Sequence, residues 1–111
     1  MNMSAPSVGA VRRRVIIEAP VETPDDTGGV TRGFAPLGAV WASVAPVSGQ
    51  RLFVAQRPEE DISHIVRIRW RAGLTAAMRL RIGPRILLVR ALHDVNETRR
   101  HLVLYCREIT P

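Results

Sequence analysis

The sequence predicts a mainly β fold, a small antiparallel barrel or sandwich with one short helix or long loop inserted in it. Three observations predict it. Apolar and polar residues alternate with period two in several runs, such as Val40 to Ala45 and His64 to Arg71. Short clusters of Gly, Pro, Asp and Asn punctuate those runs, the pattern of strands joined by tight links. The length, 111 residues, fits one domain with one modest core.

The elements follow in chain order. Residues 1–11 read as a flexible arm, and 12–111 as a single domain. Arg12, Arg13 and Arg14 read as the exposed start of a strand, with a nucleic-acid contact as the other reading. Arg13 to Ala19 is the first strand: Val15, Ile17 and Ala19 share one face, Ile16 and Glu18 the other, and Pro20 ends it. Thr23 to Gly29 is dense in turn formers and lacks the alternating oxygens and closing Glu of a calcium loop. A short strand, Val30 to Phe34, returns from it, and a separate strand runs from Ala39 to Ala45 until Pro46 breaks it. Within an insertion at about 47–63, Gly49 to Arg57 reads as a short helix or helical loop, stopped by Pro58 and followed by the acidic Glu59-Glu60-Asp61.

The second half is the most regular. His64, Val66, Ile68 and Trp70 point inward, and so do Met78, Leu80 and Ile82. That leaves Arg67, Arg69, Arg71, Arg79 and Arg81 outward. One antiparallel register satisfies both runs, with Trp70 opposite Leu80 and Ile68 opposite Ile82. It also sets Arg71 opposite Arg79 and Arg69 opposite Arg81, and like charges directly opposite are destabilising. Such a face should seek carboxylates or phosphates. Gly83-Pro84 marks a turn, and Ile86 to Val89 is apolar on both faces. Asp94 to Thr98 is a polar turn. Arg100 to Arg107 closes the domain, with Leu102, Leu104 and Cys106 inward.

Composition adds charge and subtracts chemistry. Net charge is +6, and all 16 cationic side chains are Arg. Codon bias of a GC-rich genome explains that choice, and so does selection for guanidinium forks that grip carboxylate or phosphate. The single cysteine, Cys106, excludes an internal disulfide and reads as a buried thiol. No apolar run approaches a membrane span, and the N-terminus lacks a secretory pattern. His64, His93 and His101 have no metal-pair spacing. No phosphate loop and no nucleophile elbow is present, and no nucleophile–base set can be assembled, so an enzyme is not expected and no cofactor is implied. Trp41 and Trp70 sit in strand patterns and read as core.

Four segments, in this order and spacing, resemble the head–tail joining proteins of tailed phages, also called head-closure proteins, stoppers or head-tail adaptors. They are Arg13 to Pro20 with Asp25 to Val30; Val40 to Pro46 running into Ser48-Gly49-Gln50; His64 to Trp70 with Met78-Arg79-Leu80; and Arg99 to Glu108. The resemblance runs from about Arg12 to Glu108. Gly83-Pro84 and Ile86-Leu87-Leu88 depart from the family pattern and leave local hairpin geometry open. The resemblance implies a small barrel in a ring below the portal or adaptor. That ring closes the DNA channel after packaging and carries the tail attachment platform. Phage-like gene transfer particles use the same parts.

The implied partners are other copies of the chain, the portal or adaptor above and the tail terminator or tail tube below, with packaged DNA as a further candidate and no membrane. The implied place is the virion, assembled in the bacterial host cytoplasm. Candidate interface residues are Arg67, Arg69, Arg71, Arg79 and Arg81 on the basic face, and Arg51, Leu52, Phe53 and Arg57 in the insertion. The competing reading is a nucleic-acid-binding small barrel, which the charge supports and the few aromatics weaken.

Overall fold

A computed structural model describes residues 11–47 and 62–109. The strands are β1 (Val11–Pro24), β2 (Val30–Pro46), β3 (His64–Arg69), β4 (Arg79–Ile82), β5 (Arg85–Asp94) and β6 (His101–Ile109). A single 3-10 turn, Val95–Glu97, links β5 to β6. The strands close into an antiparallel barrel in the order β1-β2-β3-β6-β5-β4, with β4 returning to β1. Closure gives every strand a neighbour on both sides and removes the free edges of an open sheet.

Period-two alternation sets the core. Val15 and Ile17, Ala42 and Val44, Val66 and Ile68, Leu80 and Ile82, Leu87 and Val89, and Leu102, Leu104 and Cys106 all point inward and are buried. Val40, Trp70, Leu74, Met78 and Leu92 pack against this cluster from the rim. The inward assignments made for the second half therefore hold, and Cys106 is buried as expected. Burial pushes its thiol up to about 12.

The strand pairing differs from the sequence expectation. β3 and β4 do not form a hairpin. β3 pairs with β2 and β6, and β4 pairs with β1 and β5. Ile68 faces Ala42 and Leu102, and Leu80 faces Ile17 and Leu87. Neither Trp70–Leu80 nor Ile68–Ile82 is a pair, and the arginines are not opposed: Arg69 faces His101, and Arg81 faces Ile16 and Ile86. The chain from Trp70 to Met78 crosses between the two strands instead of turning tightly. Either pairing keeps the arginines outside, so alternation could not choose between them.

The first strands also run longer than expected. Pro20 does not end β1, which continues to Pro24, and the two expected strands at Val30 to Phe34 and Ala39 to Ala45 are one, β2. β1 meets β4 only at Ile16, Ile17 and Glu18, and β2 meets β3 only from Ala42 to Pro46. From Ala19↔Ala35 to Pro24↔Val30 the two strands pair with each other alone. They leave the barrel as a two-stranded hairpin, with a register shift between Ile17 and Glu18 at its root. Pro20, Pro24 and Pro36 are tolerated there because the outer edges face solvent. The hairpin projects roughly 20 Å at about 3.3 Å per residue, and the molecule measures 55 × 28 × 27 Å.

The expected arm at 1–11 falls outside the described residues except for Val11, which begins β1. The expected helix at Gly49 to Arg57, with Arg51, Leu52, Phe53 and Arg57, also lies outside them.

Candidate functional site

The projecting hairpin is built from its tip. Asp25 Oδ1 accepts from the Thr27 and Gly29 amides and the Thr27 hydroxyl, each at 2.9 Å. The Asp25 amide donates to the Gly29 carbonyl at 3.0 Å. Gly28 sits at φ 86°, where a side chain would be strained. These hydrogen bonds, led by the Thr27 amide, hold the Asp25 carboxyl below its usual range. Asp25 thus organises the turn, and the tip keeps its negative charge. Every residue from Pro20 to Phe34 is exposed. Glu22 pairs across the strands with Arg32 at 3.0 Å, and Val21, Val30, Phe34 and Leu37 offer apolar surface.

Where the hairpin leaves the barrel, Glu18 is buried, with 2% of its surface exposed. Arg79 Nε donates to Glu18 Oε1 at 2.6 Å, while Arg81 donates to Oε2 through Nε at 3.2 Å and Nη2 at 2.9 Å. The Arg79 guanidinium also stacks on Phe34, 4.0 Å from the ring centroid. Burial pushes the Glu18 carboxyl up, but the hydrogen bonds from both arginines outweigh it and hold the pKa below the ordinary value. Arg71 lies over the hairpin root, its Nη1 3.1 Å from where a Cβ on Gly38 would stand.

The five-arginine face is therefore divided. Arg79 and Arg81 clamp Glu18, Arg71 packs at the root, and Arg67 and Arg69 stand together on another part of the surface. They line a cleft of about 560 Å³ with Arg12, Trp41, Ser43 and His101. Trp41 corrects the expectation of a core residue: it points outward and is 57% exposed. Val40 and Ala42 take the inward positions on either side of it, as the same alternation requires. Arg12, Arg13 and Arg14 are exposed within β1, and Arg12 reaches the cleft. An adjoining hollow carries Arg69, Trp70, Arg99, Arg100 and His101. Desolvation, then the nearby charges of Arg67, Arg69 and Arg100, keep the His101 pKa down. The surface is electropositive without help from histidine.

One cluster resembles a hydrolase triad and is not built as one. Arg85 grips Glu108 through two hydrogen bonds, 2.9 and 3.0 Å, and its Nη2 lies 3.1 Å from His64 Nε2. A guanidinium only donates, so Nε2 accepts and Nδ1 carries the proton towards Ser63 Oγ, 2.9 Å away. That oxygen also receives the Glu108 amide at 2.7 Å. The histidine thus donates to the serine, the opposite of what activating a nucleophile requires. The cluster ties β3, β5 and β6 together where the chain enters β3. Among the described residues, no group of three His, Cys, Asp or Glu side chains could hold a metal. None of the described helices is long and apolar enough to cross a membrane.

Residues 6–109 match the model of the phage head completion protein family. The chain belongs to that family, and so to the structural proteins of virions. It is also similar to a solved chain from the virion of a native gene transfer agent particle. That likeness has a TM-score of 0.63 and 22% identity, covers 87% of this chain and 94% of the other, and shows the shared fold. A protein from Shigella flexneri 2a, SF1141, solved in solution, is similar with a TM-score of 0.63 and 29% identity, over 97% of this chain and 96% of that one. No curated protein matches the chain.

Proposed function

We propose that the chain closes the head–tail connector of a tailed phage or phage-like gene transfer particle. Copies form a ring below the portal or adaptor, block the DNA channel after packaging, and offer the surface on which a tail terminator or tail tube docks. Assembly takes place in the bacterial host cytoplasm. The observation that carries this reading is the family match, which spans every described residue. The surfaces agree with it, because a ring of identical subunits needs two different complementary faces, and multivalency makes each weak contact count. Arg67 and Arg69 are the proposed interface cations of the original five. Arg51, Leu52, Phe53 and Arg57 stay as proposed contacts from the insertion to the channel or adaptor.

Deleting the gene in a producing strain and imaging the particles by negative stain tests this function. Heads without tails beside free tails are expected, and loss of DNA from those heads identifies a stopper. Intact tailed particles that deliver DNA normally would overturn the reading.

One observation favours a second reading, contact with DNA phosphates. Trp41 stands exposed among Arg12, Arg67 and Arg69, which is the chemistry of a nucleic-acid surface. Duplex binding across a salt series separates the two. A site using several phosphates gives a steep salt slope, whereas general attraction to a basic protein disappears by physiological salt.

A further inference from the structure

We propose that the acidic tip of the projecting hairpin in one copy seats in the Arg12–Trp41–Arg67–Arg69 cleft of the next copy. This contact rests on the ring reading above and supplies its head-to-tail joint. The chain as a whole is cationic, at +6, so copies repel unless opposite signs are brought together. Among the described residues, the tip is where negative charge gathers: Glu22, Asp25 and Asp26 stand there against Arg32 alone. The cleft gathers the positive charge, with Arg12, Arg67 and Arg69 around an exposed indole. A Trp ringed by Arg is also the composition of an interface anchor, and Val21 and Val30 near the tip give it apolar contact.

Geometry excludes the chain's own cleft, and the opposite charges of tip and cleft make the occupant a second copy. Tip and cleft share β2, and eleven residue steps of continuous strand separate Val30 from Trp41. At about 3.3 Å per step that is roughly 35 Å, which a paired ladder cannot fold back upon itself. Nor is the hairpin suited to adding a strand to a neighbour. The barrel is closed, and Pro20, Pro24 and Pro36 interrupt the hairpin's own edges. It is left to dock by its tip and faces. An isolated two-stranded ribbon is marginal in water, so seating it in a partner also stabilises it.

Charge exchange between the two positions tests the contact in whole particles. Asp26 is exposed and takes no part in the turn's hydrogen bonds given above, so Asp26→Arg should leave the fold intact. Asp26→Arg and Arg69→Glu should each lower the yield of tailed particles by roughly tenfold or more, while the double variant restores most of it. Circular dichroism of each purified chain confirms folding.

Two defective single variants with no rescue in the double would overturn the contact. So would a defect in Arg69→Glu alone, which instead assigns the cleft to DNA or another anionic partner. A cysteine pair reads the same contact directly, since Cys106 is buried. Oxidised particles carrying Asp26→Cys and Arg69→Cys should yield disulfide-linked multimers. Particles with Asp26→Cys and the control Arg90→Cys should not. Tailed particles without the first crosslink would refute the contact and leave the head–tail function standing, whereas tailed particles from the gene deletion would refute that function itself.

Discussion

The barrel and the hairpin are made from the same two strands yet obey opposite rules. Inside the barrel, β1 and β2 bury Val15, Ile17, Ala42 and Val44 against four other strands. Beyond Glu18 no residue of the hairpin is fully buried, and Pro20 to Phe34 are exposed, with Phe34 partly covered by Arg79. The barrel is held by the removal of apolar surface from water. The hairpin is held by its ladder, the Asp25 turn and the Glu18 clamp at its root. Regions with few buried contacts open first and move most, so stability resides in the barrel, and the hairpin is the element we propose for docking.

Substitutions in each region can break that division. The largest effect is expected in the core. Leu80 is fully buried between β1 and β5, and Leu80→Ala should cost about 3 kcal/mol, read as a fall in Tm or in the denaturation midpoint. A change below about 1 kcal/mol would show that the barrel collapses easily around the cavity.

Next comes the root. Glu18→Gln removes the charge that two guanidiniums share, and should cost about 2 kcal/mol, less than a fully buried pair because Arg81 is half exposed. It should also loosen the hairpin, seen as faster amide exchange at Ala19 and Ala35 than in the parent.

The pH dependence sharpens the same point. The Glu18 and Glu108 carboxyls are held below their ordinary value of 4.5 in the folded chain. Their contribution is present above that value and is lost as pH falls through the lower folded pKa. Unfolding followed from pH 6 to pH 2 should show stability falling only in the acid limb. Glu18→Gln should flatten that limb, and a limb unchanged in the variant would assign the loss to other carboxylates.

The smallest effect belongs to the hairpin surface. Val30→Ala should change the stability of the isolated chain by less than about 0.5 kcal/mol, because Val30 is half exposed. A large loss in the isolated chain would mean that the hairpin packs on the barrel in solution.

How far these features were legible in the sequence varies with the kind of information each needs. The face of Leu80 follows from its two neighbours, Arg79 and Arg81. The turn at Asp25 follows from its own short sequence. The partner of Glu18 does not, since Arg79 lies 61 residues away and meets it only because β4 returns to β1. For the same reason the five-arginine face looked continuous along the chain and is divided in space. Trp41 was misread for a different reason. Its strand carries apolar residues on both faces, so membership of the strand pattern did not fix which face is the core.

By itself the sequence determined the β class, the inward residues of the first strand and of most strands in the second half, the turns at Asp25, Gly83 and Asp94, and the lack of a local catalytic pattern. All of these rest on side chains within a few residues of one another. The tertiary structure alone decided which strands are neighbours, that β1 and β2 outrun the barrel, and which arginines meet a carboxylate. The period of two in a β-strand specifies a face and never a neighbour. Neighbours are chosen when the whole sheet closes and each strand's two edges find their partners.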